Sequence, residues 1–152
     1  MIESTMRKTV VRLLKPLHAI SVENGMCCPG TPDVSCALGW IELKAHESWP
    51  VRATTVVRLR HPMTPQQRIW HTDRRNAGGS AWVLITVAGD WLLFDGLVAA
   101  EFLGRKPKST LFEVAIETWL RTPTSKELIE CLSRPLTLPM ANDSASFGDV
   151  RI

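Results

Sequence analysis

The stretch from Gly30 to Ala45, GTPDVSCALGWIELKA, constrains this chain more than any other. The segments DVSC and WIELKA flank ALG, which is the pattern of a β-hairpin. Strand side chains alternate between faces, so Glu42 and Lys44 share one face and Leu43 points the other way. With the turn centred between Ala37 and Leu38, Asp33 falls opposite Glu42. Directly opposed residues in an antiparallel ladder lie about 4.5–5.5 Å apart at Cα. Like charges so placed destabilise a sheet. A divalent cation between them removes that penalty and needs such oxygen ligands. Lys44 then stands beside the cation with a point charge suited to a phosphate oxygen or an attacking water.

The elements around this hairpin follow from local pattern. A helix is expected over residues 2–15, stopped by Pro16. The segment HAISVEN alternates apolar and polar residues as a strand does, and Asn24-Gly25 closes it. TTVVRLR, within the stretch 46–62, has strand propensity but fits an extended loop as well. TPQQRIWHTDRRNAGG is the clearest helix, with Thr64 as N-cap, Pro65 at the first helical position and Gly78 at the C-terminal end. AWVLITV and WLLFDG are apolar strands around AGD. Thr110 with Glu113, and Thr124 with Glu127, have capping-box spacing, with Pro123 between the two helices. These elements describe an α/β chain with a small mixed sheet and helices packed on it.

The spacing of Pro32-Asp33 and Glu42-Leu43-Lys44 resembles the PD-(D/E)xK nuclease superfamily. GTPD, IELKA and the following TPQQRIWHTDRRNAGGSAWVLI are most similar to its VRR-NUC branch. The resemblance covers about residues 2–96 and implies a restriction-endonuclease-like core, α-β-β-β-α-β, followed by a C-terminal helical pair over about 109–134. One nuclease domain would span 1–138, with a mobile polar tail over 139–152. The resemblance further implies that Asp33 and Glu42 bind metal, with the Leu43 carbonyl as an added ligand and Glu3 as an extra acid nearby. Lys44 would orient or activate water, and Gln67 would line the site. The cofactor would be Mg2+, or Mn2+ in its place, and the reaction phosphodiester hydrolysis in DNA. Small stand-alone members of the branch, often viral, resemble homodimeric junction-resolving enzymes. Branched DNA, the four-way junction above all, and a second copy of the chain are therefore the expected partners. An exonuclease, a restriction-like DNase and a non-catalytic nucleic-acid-binding module are the alternatives.

Charge distribution adds a binding surface. The whole chain carries only +3. Residues 52–75, however, hold Arg52, Arg58, Arg60, Arg68, Arg74 and Arg75 against one acid, Asp73. Arg suits phosphate contacts. Lys106 and Lys108 in GRKPKS form a second basic loop. His46, His61 and His71 could serve as ligands or proton carriers. Cys27, Cys28, Cys36 and Cys131 match neither a disulfide framework nor a C-x-x-C zinc pattern, so a reduced, cytoplasmic chain is expected. A zinc site from Cys27, Cys36 and His46 is the competing use of those residues. No apolar run nears the roughly 20 residues that span a bilayer, and the N-terminus does not read as a signal peptide. Trp40, Trp70, Trp82, Trp91 and Trp119 fall at core positions, and Trp49 is the Trp expected outside the core. Leu111, Phe112, Ile116, Trp119 and Leu120 form an apolar stripe suited to a dimer interface or to covering the sheet.

Overall fold

The structure, a computed structural model, describes residues 1–22 and 28–137. The Asn24-Gly25 turn and the 139–152 tail lie outside the described residues. Helix α1 (Glu3–Leu13) leads through a 3-10 turn (Lys15–Leu17) into β1 (Ile20–Ser21). Strands β2 (Val34–Cys36) and β3 (Gly39–His46) form the hairpin. Helix α2 (Pro65–Asn76) crosses over to β4 (Ala81–Val87), which turns into β5 (Asp90–Asp95). The rest is α3 (Gly96–Phe102), α4 (Lys108–Val114), β6 (Glu117–Trp119) and α5 (Ser125–Leu132).

The six strands make one sheet in chain order, β1 to β6. Among the described residues, β3 and β4 run parallel and the other neighbour pairs are antiparallel. This is a mixed α/β fold whose first six regular elements, apart from the 3-10 turn, follow the expected α-β-β-β-α-β order. The hairpin register also matches: Val34 faces Ile41, Ser35 faces Trp40 and Cys36 faces Gly39. Asp33 stands one residue before the ladder, in line with Glu42.

Helices cover both faces of the sheet. On one, Met6, Val10 and Leu13 of α1 and Leu128 and Leu132 of α5 pack on Ile41, Leu43, Trp82, Leu84 and Trp119. On the other, Ala99, Leu103 and Leu111 pack on Val83, Ile85 and Phe94. Helix α2 rests on α3 and against β4. Fully burying a Leu, Ile, Val, Met or Phe among them stabilises the fold by about 1.5–3 kcal/mol. Strand β4, buried along its whole length, reads as an unbroken apolar run, as a central strand should. Strand β3 is also buried on both faces, yet it alternates apolar and charged residues. Alternation ordinarily marks a strand with one wet face. Here the polar face is closed over: Glu42 is 2% exposed and Lys44 5%.

Three expectations need correction. The helical pair expected over about 109–134 is present as α4 and α5, but β6 stands between the two helices and an unexpected α3 precedes them. Strand β6 exists because the outer edge of β5 needs a partner: the Ile116 N–H donates to Leu93 O at 2.7 Å, and the pairing runs on to Trp119 opposite Trp91. Thr110 is no cap, since α4 begins at Lys108 behind Pro107, whereas the Thr124–Glu127 box caps α5. The stripe from Leu111 to Leu120 is split between α4 and β6, with Leu111 and Trp119 buried and only Leu120 well exposed. The TTVVRLR segment is an extended loop. A single bridge between Val56 and Pro107 ties it down, and Val57 and Leu59 are buried in the second core.

Candidate active site

Four elements bring the predicted centre together. Helix α1 contributes Glu3, the residues before β2 contribute Asp33, β3 contributes Glu42 and Lys44, and α2 contributes Gln67. Asp33 Oδ2 accepts the Leu43 backbone N–H at 3.0 Å, so the acid is held by the strand that carries its partner. Lys44 Nζ lies 3.0 Å from Glu42 Oε1, and Gln67 Nε2 donates to the same oxygen at 2.6 Å.

Gln67 serves two ends at once. Its Oε1 accepts the Thr64 N–H at 2.9 Å, and its own backbone N–H donates to Thr64 Oγ1 at 3.1 Å, which completes a capping box. The carbonyl end of the amide therefore fixes the start of α2 while the amino end reaches Glu42. Capping and lining the site are not rival roles for this residue. Gly30 explains why the helix start can come so close. A Cβ there would stand 2.3 Å from Gln66 O, and the residue already holds φ of 86°, where glycine is favoured.

The electrostatics of Glu42 are out of balance. Burial, with the Asp33 charge second, pushes its carboxyl from the usual 4.5 up to about 8, against the opposing pull of Lys44. Glu3 adds to the upward push. Glu42 Oε2 and Glu3 Oε1 are buried with no hydrogen-bond partner. Leaving such an atom unsatisfied costs about 1–3 kcal/mol, more for a charged group.

Arg7, one helical turn after Glu3, was not foreseen. Its Nη2 contacts Asp33 Oδ1 at 2.5 Å, so both Asp33 oxygens are engaged. The i, i+4 spacing from Glu3 on a predicted helix was the available signal. Among the described residues, no three His, Cys, Asp or Glu side chains sit in a ligating arrangement. The reason is local: Asp33 is turned to Arg7 and to the Leu43 N–H. The two orphaned carboxylate oxygens still fit a hard divalent cation, which takes oxygen ligands from acids of this kind. His71, a turn beyond Gln67, is wholly buried with neither ring nitrogen hydrogen-bonded, and burial pushes it down to about 4.

The expected basic surface comes apart. Arg75 is 1% exposed and paired with Asp95, so it is not a phosphate contact but a strut. Arg68 is likewise spent, donating to Ala100 O and Leu103 O at 2.5 and 2.7 Å. Arg74 stacks 4.6 Å from the Trp70 ring and 5.7 Å from Trp40, two half-buried rings that meet edge to face. Arg60 pairs with Glu47. Lys108 lies over Trp49 and within 3.8 Å of Asp90, the same acid that accepts Trp49 Nε1–H. Trp49 is thus half-buried. Arg52, Arg58 and Lys106 are exposed and without an ion pair among the described residues. His46 accepts the Arg60 N–H, and His61 is exposed. Cys28, Cys36 and Cys131 are free thiols, and Cys27 lies outside the described residues.

No protein-family description matches the chain, and no curated protein does. Among solved structures it is similar to Hjc, a Holliday junction resolvase from the archaeal hyperthermophile Archaeoglobus fulgidus. That alignment has a TM-score of 0.38 and 16% identity, and covers 60% of this chain and 73% of that one. No described helix is long and apolar enough to cross a membrane.

Proposed function

We propose that this protein is a metal-dependent nuclease that hydrolyses phosphodiester bonds in DNA, with branched DNA as its substrate. The observation that carries the reading is Glu42: a carboxylate buried beside Asp33 and Lys44, with one oxygen left without a donor. A purely structural acid buried there would have both oxygens hydrogen-bonded, whether charged or protonated. Asp33, Glu42, the Leu43 carbonyl and Glu3 would hold Mg2+ or Mn2+. When bound, such an ion polarises a phosphoryl oxygen and lowers the pKa of a water. Lys44 holds its ammonium at the face where a phosphate oxygen or the attacking water would lie, and Gln67 keeps Glu42 oriented. Arg7 must release Asp33 for that acid to act as a ligand. The choice of DNA, and of a four-way junction within it, rests on the resemblance of the GTPD and IELKA motifs. One chain has one such centre, and two coordinated cuts call for a twofold homodimer.

A second reading, a nucleic-acid-binding module without catalysis, is favoured by one observation: Arg7 and Leu43 occupy both oxygens of Asp33. A cutting assay separates the two. Labelled four-way junction, flap, duplex and single-stranded DNA are compared with Mg2+, Mn2+ or EDTA, using wild type, Glu42→Ala and Lys44→Ala. The nuclease reading expects metal-dependent cutting, paired cuts on the junction, and losses of at least about 100- to 1,000-fold in each variant. Binding without cutting under every metal replaces it with the second reading.

A further inference from the structure

Helix α1 borders a groove of about 770 Å³ that the nuclease reading leaves unused. Arg7, Lys8, Arg12 and Lys15 line it, Val11 and Ala19 are among its apolar residues, and no acid among the described residues takes part. Lys8, Arg12 and Lys15 are exposed, and none forms an ion pair among the described residues. A spacing of four residues puts Lys8 and Arg12 on one side of the helix, and Lys15 follows in the 3-10 turn beyond its end. Like charges so placed destabilise a helix by about 0.2–0.5 kcal/mol per pair. The end of a helix explains basic residues in its last turn, which accounts for Arg12 but not for Lys8 in the middle. Arg7 joins the groove to the catalytic centre, because it lines the groove and touches Asp33. Its Nε is buried with no partner.

We propose that this groove is the track for a nucleic-acid strand passing through the catalytic centre, with backbone phosphates seated on Lys8, Arg12 and Lys15. The proposal rests on the nuclease reading for its substrate, but the groove is separate from the metal-binding acids. The match is one of charge: a cationic row beside an apolar floor, with neither an ion pair nor a competing acid among the described residues, suits a polyanion. Arg7 is the hinge of the arrangement, since the guanidinium that Asp33 gives up to a cation is placed to take the first phosphate of the track.

The test is binding of labelled four-way junction by the full chain without metal, across a range of salt. In Lys8→Ala/Arg12→Ala/Lys15→Ala the slope of log affinity against log salt is expected to shrink by about 2–3, with affinity down on the order of 100-fold at 0.1 M salt. A charge-matched control, Arg121→Ala/Lys126→Ala/Arg134→Ala, keeps the wild-type slope, and Lys8→Arg/Lys15→Arg keeps it as well. Thermal melting checks that each variant is folded. If wild type cuts DNA but the groove variant keeps its slope, the track is overturned and the nuclease reading survives. A lost slope in a protein that never cuts leaves the track standing and removes the nuclease. A change in oligomeric mass with the slope unchanged makes the groove an interface between copies and overturns the track. Absence of any nucleic-acid binding by wild type overturns both.

Discussion

Two ionic clusters are buried among the described residues, and they are finished to different degrees. Arg75 reaches Asp95 through Nε at 2.8 Å and Nη2 at 3.0 Å, and also donates to Gly79 O and Thr137 O. Asp95 Oδ1 accepts the Leu97 N–H in addition, as the N-cap of α3. Every nitrogen and oxygen of the pair has a partner, so α2, β5 and the chain at Thr137 are locked together. The cluster of Glu3, Arg7, Asp33, Glu42 and Lys44 is buried nearly as well. Yet Glu3 Oε1, Arg7 Nε and Glu42 Oε2 have nothing to bond. The first cluster is saturated and structural. The second stores an imbalance that an arriving cation and phosphate would relieve.

The largest effect tests the saturated side. Arg75→Ala leaves partly buried Asp95 with only the Leu97 N–H and is expected to lower stability by about 3 kcal/mol, read by chemical denaturation. Lys44→Ala, at a position of similar burial, should cost less below about pH 8, because Glu42 already holds a proton there and is left uncharged. If the two variants lose the same stability, the contrast between the clusters is broken.

Next comes a substitution expected to stabilise. Glu42 holds its proton up to about pH 8 in the folded chain, against 4.5 ordinarily. The folded state thus binds the extra proton. That contribution to stability is complete below about pH 4.5 and is lost progressively as pH rises through about 8. Glu42→Gln removes the dependence. Without metal it should match wild type near pH 4.5 and melt higher at pH 8, with Mg2+ reversing the order because only wild type binds it. The companion measurement is calorimetric. Mg2+ must displace the Glu42 proton, so affinity should rise by up to about tenfold per pH unit below pH 8. Affinity independent of pH would mean that Glu42 is not a ligand.

Legibility in the sequence followed the range of the interactions. The hairpin register could be read because turn position and strand alternation are local. The start of α2 could be read because Thr64, Pro65 and Gln67 lie within one turn. Arg75 could not. It is chemically identical to exposed Arg52, and the acid that buries it is 20 residues away in sequence. Strand β6 has three residues, too few for a period, and exists only because β5 offers an edge. The Asp95 cap of α3 was hidden in the same way, since Asp95 also ends an apolar strand. Within the site, Glu42 and Lys44 were visible from motif and alternation. Their burial was not, because an alternating strand looks half-wet until α2 closes over it. Arg7 was missed because a cation on a helix ordinarily faces solvent.

The smallest effect separates the two ends of Gln67. Gln67→Ala keeps the Thr64 Oγ1 bond to its backbone N–H but loses the side-chain half of the box and the bond to Glu42, and should cost about 1 kcal/mol, or about 2–4 °C in a chain of this size. Gln67→Glu keeps the box, because a carboxylate also accepts the Thr64 N–H. It also replaces the amino group facing Glu42 with a second acid. At pH 5, with Glu42 protonated, Gln67→Glu should melt close to wild type. At pH 8 the two acids repel within the buried site, and the variant should melt clearly lower. Mg2+ should restore more stability to Gln67→Glu than to Gln67→Ala, since the added acid is a further oxygen donor. If Gln67→Glu melted like wild type at both pH values while Gln67→Ala kept its loss, Gln67 would act only as a cap, and its amino group would give Glu42 nothing.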